Sequence, residues 1–326
     1  MEYYKKTDKK IVIYKGKVYD LADYVELHPG GAEFISDLYG KSIDEEFEDQ
    51  GHSRSAKKLF KNFPVVGYLP SYKHEEEDHA AGLDGNKVGN KIGIDFMKGG
   101  VVNQLWHRTD YTIEDYKDFI NEPKHLINPV RECRLFDSDF VEAFSKTPWY
   151  GIPLFYFPQA AYFLYIAYAT GVAELYTTIL VVIFAILYAS WLEYAIHRFV
   201  FHCEDTFLPN NSKFMAIHYA VHGVHHAFPQ ETNRLVMPIV PGMVFLTMFS
   251  HMPAYFLLPA EYAFPFMAGV LFAYIKYDMV HFFLHHSSPK FAFLRDLKAY
   301  HMAHHYRNGN IAFGVSTKFW DKVFST

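Results

Sequence analysis

Long apolar runs without charge dominate the second half of the chain. Trp149 to Ala169 gives 21 uncharged residues, and Leu175 to Leu192 gives a further 18. A third run, Leu235 to Ala260, covers 26 residues and is interrupted by prolines, and a fourth begins near Tyr262. Because about 20 apolar residues in a helix cross the hydrocarbon core of a bilayer, the pattern predicts four transmembrane helices in two hairpins.

In the N-terminal part, the hydrophobic pattern changes over only a few residues. Residues 11–14 and 17–19 predict two short strands around Gly16, and a helix is expected to start at Asp20 or Asp23. This alternation over a few residues, without any apolar run, is typical of a small folded domain that precedes the membrane part.

The middle of the chain contains two further patterns. Residues 70–100 are polar and rich in glycine, with a run of four acidic residues, which is the composition of a linker. Residues 112–126 place Tyr116, Phe119 and Ile120 at helical spacing. That spacing predicts an amphipathic helix near the membrane surface.

Composition and charge narrow the class of protein. The 326 residues are 50% hydrophobic and 18% aromatic, and the formal net charge is −5 without any basic block. This balance argues against a nucleic-acid partner. Cys133 and Cys203 lie far apart, so a disulfide framework is not expected and a reducing cytosolic environment fits. The N-terminus has no apolar core of the signal-peptide type, so we expect internal segments to direct the chain to the membrane.

Basic residues predict the orientation in the membrane. The short connections 170–174 and 259–261 contain no Lys or Arg, whereas basic residues precede the first apolar run, separate the two hairpins and follow the last run. Because positive charge favours the cytosolic side, both termini and the histidine clusters described next are expected to face the cytosol.

Histidine recurs in four short clusters within residues 197–305, next to the apolar runs. The clusters are His197 with His202; His222, His225 and His226; His281 with His285 and His286; and His301, His304 and His305. On a helix, the spacings i, i+3 and i+4 place side chains on one face. His197 and His202 are five residues apart, so the end of a helix or a distortion is expected to bring them together.

Neutral imidazole binds zinc, iron, copper or nickel, and the spacing alone does not choose among them. Ten imidazoles exceed the capacity of one ion, so a pair of metal ions is predicted. His218 and His286 are left over and are expected to contact a metal-binding ring or to face the substrate. Asp278 and Glu193 lie one helical turn before His281 and His197 and are predicted to accept the second N–H of those rings.

Near the N-terminus, a proline and two glycines follow His28 in the sequence His28-Pro29-Gly30-Gly31, and His52 lies in a polar Gly-His-Ser stretch. A rigid loop of this kind presents one imidazole to a flat ligand. Residues 11–70 resemble a cytochrome b5 domain in this loop, in the acidic stretch Asp44 to Asp49 and in the later Gly-His-Ser. The resemblance implies a haem b with His28 and His52 as its two axial ligands. The acidic stretch could dock a basic reductase or could simply be solvated.

The remainder of the chain resembles the fatty acid hydroxylase superfamily of integral membrane oxygenases. The stretches that carry the resemblance are Ser145–Tyr150, His197–His202, His222–His226, Arg234–Pro238, Tyr277–His286 and His301–Tyr306. Ten metal ligands of the family carry over, and no position of the pattern is missing: His197, His202, His222, His225, His226, His281, His285, His301, His304 and His305.

Together the two resemblances imply an α+β haem-binding domain (8–70), a linker (71–110) and an all-α integral membrane domain (111–326) with about four transmembrane helices and a cytosolic His-rich cap. The implied reaction is O2-dependent 2-hydroxylation of long-chain fatty acids or of ceramide acyl chains in the endoplasmic reticulum membrane. Two metal ions would carry it out, with iron in the active form and zinc possible in purified samples. Electrons from NAD(P)H would arrive through a cytochrome b5 reductase and the fused haem domain, because the chain has no Gly-x-Gly-x-x-Gly loop of its own.

Three alternatives stay open at the level of sequence. A desaturase with a fused b5 domain shares the histidines and the electron source, but it typically has three histidine boxes and often has glutamine where this chain has His301. A sterol-type oxidase of the same superfamily is the second alternative. The third belongs to another class: a non-enzymatic haem carrier of the membrane, in which the histidines hold structural zinc.

Overall fold

The structure is a computed structural model that describes residues 10–28, 30–50, 52, 54–70, 92–124 and 132–326. Its N-terminal part contains a three-stranded antiparallel sheet in the order β1-β2-β3. The strands are β1 (Ile11–Tyr14), β2 (Lys17–Asp20) and β3 (Val65–Tyr68). A 3-10 turn (Val25–Leu27) and three helices complete it: α1 (Ala32–Ser36), α2 (Asp44–Asp49) and α3 (Arg54–Lys61).

Alternation along the first two strands determines which side chains are buried on each face of the sheet. Val12, Tyr14 and Tyr19 pack with Phe47 and Phe60 of the helices into the main core of this part, as expected for side chains that alternate between two faces. The two predicted strands are confirmed. The sequence did not predict β3, because its side chains are mostly exposed and show no apolar alternation.

The C-terminal part is helical. Before the long apolar helices it has α4 (Val101–His107), α5 (Ile113–Ile120) and α6 (Asp139–Ala143). The long helices and the segments between them are α7 (Gly151–Ala169), α8 (Leu175–Ile196), α9 (Ser212–His218), α10 (Val224–Ala227), α11 (Ile239–Leu246), α12 (Met252–Leu257), α13 (Ala260–His286), α14 (Ala292–Tyr306) and α15 (Phe319–Phe324). Three π-helical segments interrupt the series: His197–Phe201, Tyr219–Gly223 and Thr247–His251.

Three helices among the described residues are long and apolar enough to cross a membrane. They span Leu175–Phe201, Ile239–Leu257 and Ala260–His286. The first predicted run also forms a helix, α7, which is 19 residues long but does not belong to this set. α13 packs against both α7 and α8, and side chains from these helices and α11 form one apolar core. The described residues therefore contain three candidate spans where the sequence predicted four, and the length and composition of these helices fit a membrane protein.

Two predictions for the middle of the chain are corrected. The amphipathic pattern of residues 112–126 forms α5, and its Tyr116, Phe119 and Ile120 are at most 1% exposed. They pack against Met215 and Tyr219 in the core of the C-terminal part, so the apolar stripe of α5 faces protein and not lipid.

The linker also differs from its predicted extent of 71–110. Residues 71–91 lie outside the described residues, but Ile92, Ile94 and Phe96 are buried in the same core as α5. The glycines that suggested a linker continue to Gly100, where an added Cβ would lie 2.5 Å from the Phe136 Cα. That glycine is needed for close packing of the backbone and does not indicate a flexible spacer.

Candidate metal and haem sites

The ten predicted imidazoles converge into two groups of five, each with its ligand atoms within 4.8 Å of one another. All ten side chains are buried. Group A contains His197, His202, His222, His226 and His304, and group B contains His225, His281, His285, His301 and His305.

A π-helical turn brings the first two histidines into group A. His197–Phe201 is π-helical, and the His202 N–H donates to the His197 carbonyl, five residues back, at 3.1 Å. In a π-helix, positions i and i+5 share a face, so both rings point to the same side. The predicted distortion between His197 and His202 is confirmed.

The second and fourth clusters are each divided between the groups, whereas His281 and His285 of the third cluster stay together in group B. His222 and His226, four residues apart, belong to group A, whereas His225 between them belongs to group B. On α14, His304 joins group A while its neighbour His305 joins group B. The groups are adjacent, because the ring centroids of His226 and His305 are 4.5 Å apart.

The distances between ring nitrogens suit shared metal ions. In group A, the His202 Nε2 lies 3.0 Å from the His304 Nε2 and 3.3 Å from the His222 Nε2. In group B, the His301 Nε2 lies 2.9 Å from the His285 Nε2 and 3.1 Å from the His305 Nε2. Two nitrogens that each bind one ion at about 2.1 Å and at right angles are roughly 3 Å apart.

Ring nitrogens that are buried without a hydrogen-bond partner also indicate bound metal ions. The Nε2 atoms of His225, His226 and His281 are buried without a hydrogen-bond partner. A buried polar atom that lacks a partner costs about 1–3 kcal/mol, and a metal ion would satisfy it. The residues present therefore fit two metal ions.

On the other side of several group A rings, the second nitrogen is held by a fixed acceptor. The His197 Nδ1 faces the Phe313 carbonyl at 2.5 Å, and the His304 Nδ1 faces the Ile311 carbonyl at 2.6 Å. These contacts place the proton on Nδ1 and leave Nε2 free as a metal ligand.

Glu204 contacts the second nitrogen of a third group A ring, that of His202. The sequence did not reveal this role. Its Oε1 lies 2.9 Å from the His202 Nδ1, and its Oε2 lies 3.0 Å from the Nε2 of His218. His218 in turn contacts the Tyr116 hydroxyl at 2.6 Å. His218 thus supports a predicted metal-binding ring indirectly, as expected. The signal for Glu204 was its position two residues after His202.

Two adjacent imidazoles keep the Glu204 carboxylate charged in spite of its burial. Burial alone would raise its pKa, but contacts with His202 and His218 lower the pKa of Glu204 to about 2. Six group members outside the apolar helices have pKa values well below the usual range, first because they are buried and then because other imidazoles are close. They are His222, His225, His226, His301, His304 and His305. These rings are neutral, which is the form that binds metal.

Neither carboxylate predicted to contact a metal-binding ring forms such a contact among the hydrogen bonds of the described residues. Glu193 accepts hydrogen bonds from the Ser316 amide and hydroxyl at 2.8 and 2.6 Å, so its predicted contact with the His197 ring is wrong. It instead fixes the loop that supplies the Phe313 carbonyl. Asp278 is 1% exposed and lies near the Tyr274 hydroxyl and the Met237 backbone.

His286, the other left-over histidine, belongs to neither group. Its ring packs against that of Phe282 at 4.7 Å, and its Nε2 is buried without a partner.

The two predicted haem ligands face each other across a cavity of about 440 Å³ that is lined mostly by the N-terminal part. The ring centroids of His28 and His52 are 6.4 Å apart. Two imidazoles on opposite sides of one metal ion, at about 2 Å each, have centroids roughly 6 Å apart. Apolar side chains line the cavity, among them Leu21, Phe47 and Phe60.

The protonation pattern of these two rings also suits axial ligation. The His28 Nδ1 faces the Gly31 carbonyl at 3.0 Å, and the His52 Nδ1 faces the Phe47 carbonyl at 2.8 Å. Each ring therefore keeps Nε2 free, and burial lowers the pKa of both. At Gly30, an added Cβ would lie 2.8 Å from the His28 ring, so the glycine leaves that ring its position. The cavity fits a haem.

Comparison with known proteins extends these observations to nearly the whole chain. The ceramide very long chain fatty acid hydroxylase of Schizosaccharomyces pombe is 37% identical over 98% of this chain and 94% of its own length. The chain belongs to the fatty acid hydroxylase family. The counterpart in Saccharomyces cerevisiae is 32% identical, and the fatty acid 2-hydroxylase of Rattus norvegicus is 31% identical, each over 95% of this chain and 88% of the relative.

The two parts of this hydroxylase match different families. Residues 181–326 match the fatty acid hydroxylase family, and residues 1–70 match the cytochrome b5-like heme/steroid binding domain. The chain is also similar to a solved structure of full-length scs7p in which only the hydroxylase domain is visible. The TM-score is 0.67 at 34% identity, and the match covers 76% of this chain and 89% of that one.

Proposed function

We propose that this protein catalyses O2-dependent 2-hydroxylation of long-chain fatty acids or of the acyl chains of ceramides, with electrons delivered through its own cytochrome b5 domain. Names of relatives that are 30–37% identical over most of the chain support hydroxylation of fatty acyl chains. The observation that carries the proposal is the presence of two adjacent groups of five buried imidazoles.

The position of the groups relative to the apolar helices suits an acyl substrate. α13 ends at His286, and its last turns supply His281 and His285; the apolar helix that contains α8 ends at Phe201, next to His202. The centre therefore lies where two apolar helices end, at the proposed rim of the bilayer. The carbonyl of an acyl lipid lies at that level, so C2 is the first methylene that can approach the centre.

When bound, two iron ions would supply reductive activation of dioxygen and insertion of one oxygen atom into a C–H bond. The chain's own contribution is a set of neutral, desolvated imidazoles whose orientation is fixed from behind by Phe313, Ile311 and Glu204. Burial of the whole set excludes bulk water from the reacting centre.

The b5 domain would receive electrons from a reductase that oxidises NADH or NADPH. On α2 the carboxylates of Glu45, Glu46 and Asp49 are exposed beside the haem cavity, and they offer a basic partner a complementary surface. We further propose residence in the endoplasmic reticulum, with both termini and both histidine groups on the cytosolic side.

Product identification tests the proposal. Membranes that contain the protein, a b5 reductase and NADH are incubated with a labelled free acid or a labelled ceramide, with and without oxygen. We expect a 2-hydroxy product that requires oxygen. A new double bond would show a desaturase, and a product formed only from a sterol would show a sterol-type oxidase; either result would overturn the proposal.

Glu204 provides a further prediction about the centre. We expect Glu204→Ala to lower metal affinity about 10- to 100-fold, because the His202 ring loses its acceptor and orientation. Metal titration of the purified variants would measure this. Asp205→Asn is the matched control, since the Asp205 carboxylate contacts Lys117 at 3.1 Å and not a metal-binding ring. Equal affinities for both variants would contradict the assigned role of Glu204.

A further inference from the structure

The haem cavity is not enclosed by the b5 domain alone. Part of its wall comes from α14 and the residue that follows it. Ala299, Met302, Ala303, Tyr306 and Arg307 line the cavity together with His28 and His52.

These residues occupy one face of α14, and the metal-binding histidines occupy the other. The positions 299, 302, 303 and 306 repeat at the i, i+3, i+4 spacing of a helix face, and so do His301, His304 and His305. At 100° per residue, the two sets are centred on opposite sides of the helix. One helix, with a diameter of about 10–12 Å, therefore separates the haem cavity from the histidine groups.

One charged side chain of α14 lies within electrostatic reach of the b5 domain. Lys298 is 3% exposed, and its ammonium donates to the Ser287 carbonyl at 2.7 Å. The Glu33 carboxylate of the b5 domain favours the charged form of Lys298, whereas Lys298 disfavours a charged His28 ring and so helps to keep that ring neutral. Tyr306 of α14 and Tyr24 of the b5 domain both line the cavity.

The chemistry of the shared wall suits a flat apolar ligand. Ala299 and Ala303 are small, so they leave room where the haem edge would approach the helix. A bulkier side chain at either position would fill the cavity from the hydroxylase side. The same wall would cover the haem edge and keep it from external electron carriers.

We propose that the face of α14 formed by positions 299, 302, 303 and 306 is the docking surface of the b5 domain. We further propose that α14 passes electrons from the docked haem to the histidine groups on its opposite face. The inference rests on the proposed function for the direction of electron flow. In the docked position the haem is shielded by α14. The reductase must therefore reduce the b5 domain while that domain is displaced from α14.

The test uses the full-length protein, loaded with haem and iron, and three tryptophan variants. Ala303→Trp and Ala299→Trp fill the shared wall, whereas Ala292→Trp is the control at the exposed first residue of the same helix. Two rates are measured from the reduced haem: its oxidation by ferricyanide, which takes one electron from outside, and its oxidation by the protein itself when oxygen and substrate are added.

We expect the two wall variants to show faster oxidation by ferricyanide than the wild type. Their internal oxidation is expected to slow about tenfold or more, because the tethered haem loses its fixed position. Ala292→Trp should match the wild type in both rates. Loss of haem from the wall variants alone, with metal content unchanged, would also support the inference, because α14 lies outside the b5 domain.

If both wall variants match Ala292→Trp in haem content and in both rates, the proposal that the b5 domain docks on α14 is wrong. The oxidation of the haem by ferricyanide does not require product formation. This measurement would therefore still test the docking surface if the proposed 2-hydroxylation were wrong.

Discussion

Replacing either His225 or His226 by alanine is expected to abolish product formation. The two residues are neighbours on α10 but belong to different groups, so each change removes one ligand from a different proposed metal ion. The loss should exceed the ~100-fold effect that follows from removal of a residue that only orients a ligand. Product yield and metal content per chain measure it.

His251→Ala is the matched control for these variants. His251 is another histidine of the C-terminal part, but it is only partly buried, belongs to neither group and packs against Phe163. It should retain both product and metal, and the haem spectrum should be unchanged in all three variants. Full product formation by His225→Ala and His226→Ala would overturn the assignment of the two histidine groups as the reacting centre, whereas a wild type that binds haem but forms no product would favour a haem carrier with structural zinc.

Replacing His52 by alanine is expected to remove electron delivery while leaving the metal centre intact. The change deletes one of two imidazoles that face each other at 6.4 Å, so a six-coordinate haem cannot form. With NADH and reductase, product should fall to background, and two metal ions per chain should remain. The haem absorption spectrum, metal analysis and product assay together measure this.

The substitution His52→Met tests the same role by a partial loss of electron delivery. Histidine and methionine together are an axial pair that raises the reduction potential of haem, so His52→Met should keep haem and slow product formation without abolishing it. His107→Ala, at the exposed end of α4, is the control. Normal product formation by His52→Ala would show that electrons bypass the fused domain.

The sequence predicted which imidazoles meet better than how they are divided. Clustering of histidine next to apolar runs identified all ten group members, eight of them at helical spacing and His197 with His202 five residues apart. It could not show that His225 and His226 belong to different groups. That division depends on the angle at which α10 approaches α13 and α14, which no local pattern encodes.

Local reasoning also failed where a side chain binds a distant loop. Glu193 has the right spacing to contact the His197 ring, yet it binds Ser316, which is 123 residues away in sequence. Similarly, the apolar stripe of α5 suggested lipid because the sequence does not show that Tyr219 covers it. Periodicity reveals that a face is apolar, but the tertiary contacts determine what covers it.

The π-helical turn at His197–Phe201 makes the site depend on the local conformation of the backbone. Such a turn holds one residue more than an α-helical turn in the same advance along the axis. If residues 197–202 relaxed into a regular α-helix of the same length, five steps of 100° would place the His202 side chain about 140° around the axis from His197. His202 would then point away from its partners, although no ligand had been changed. Homologous chains with two histidines five residues apart here are therefore expected to keep the π-helical turn, whereas a spacing of four residues would suit a regular α-helix.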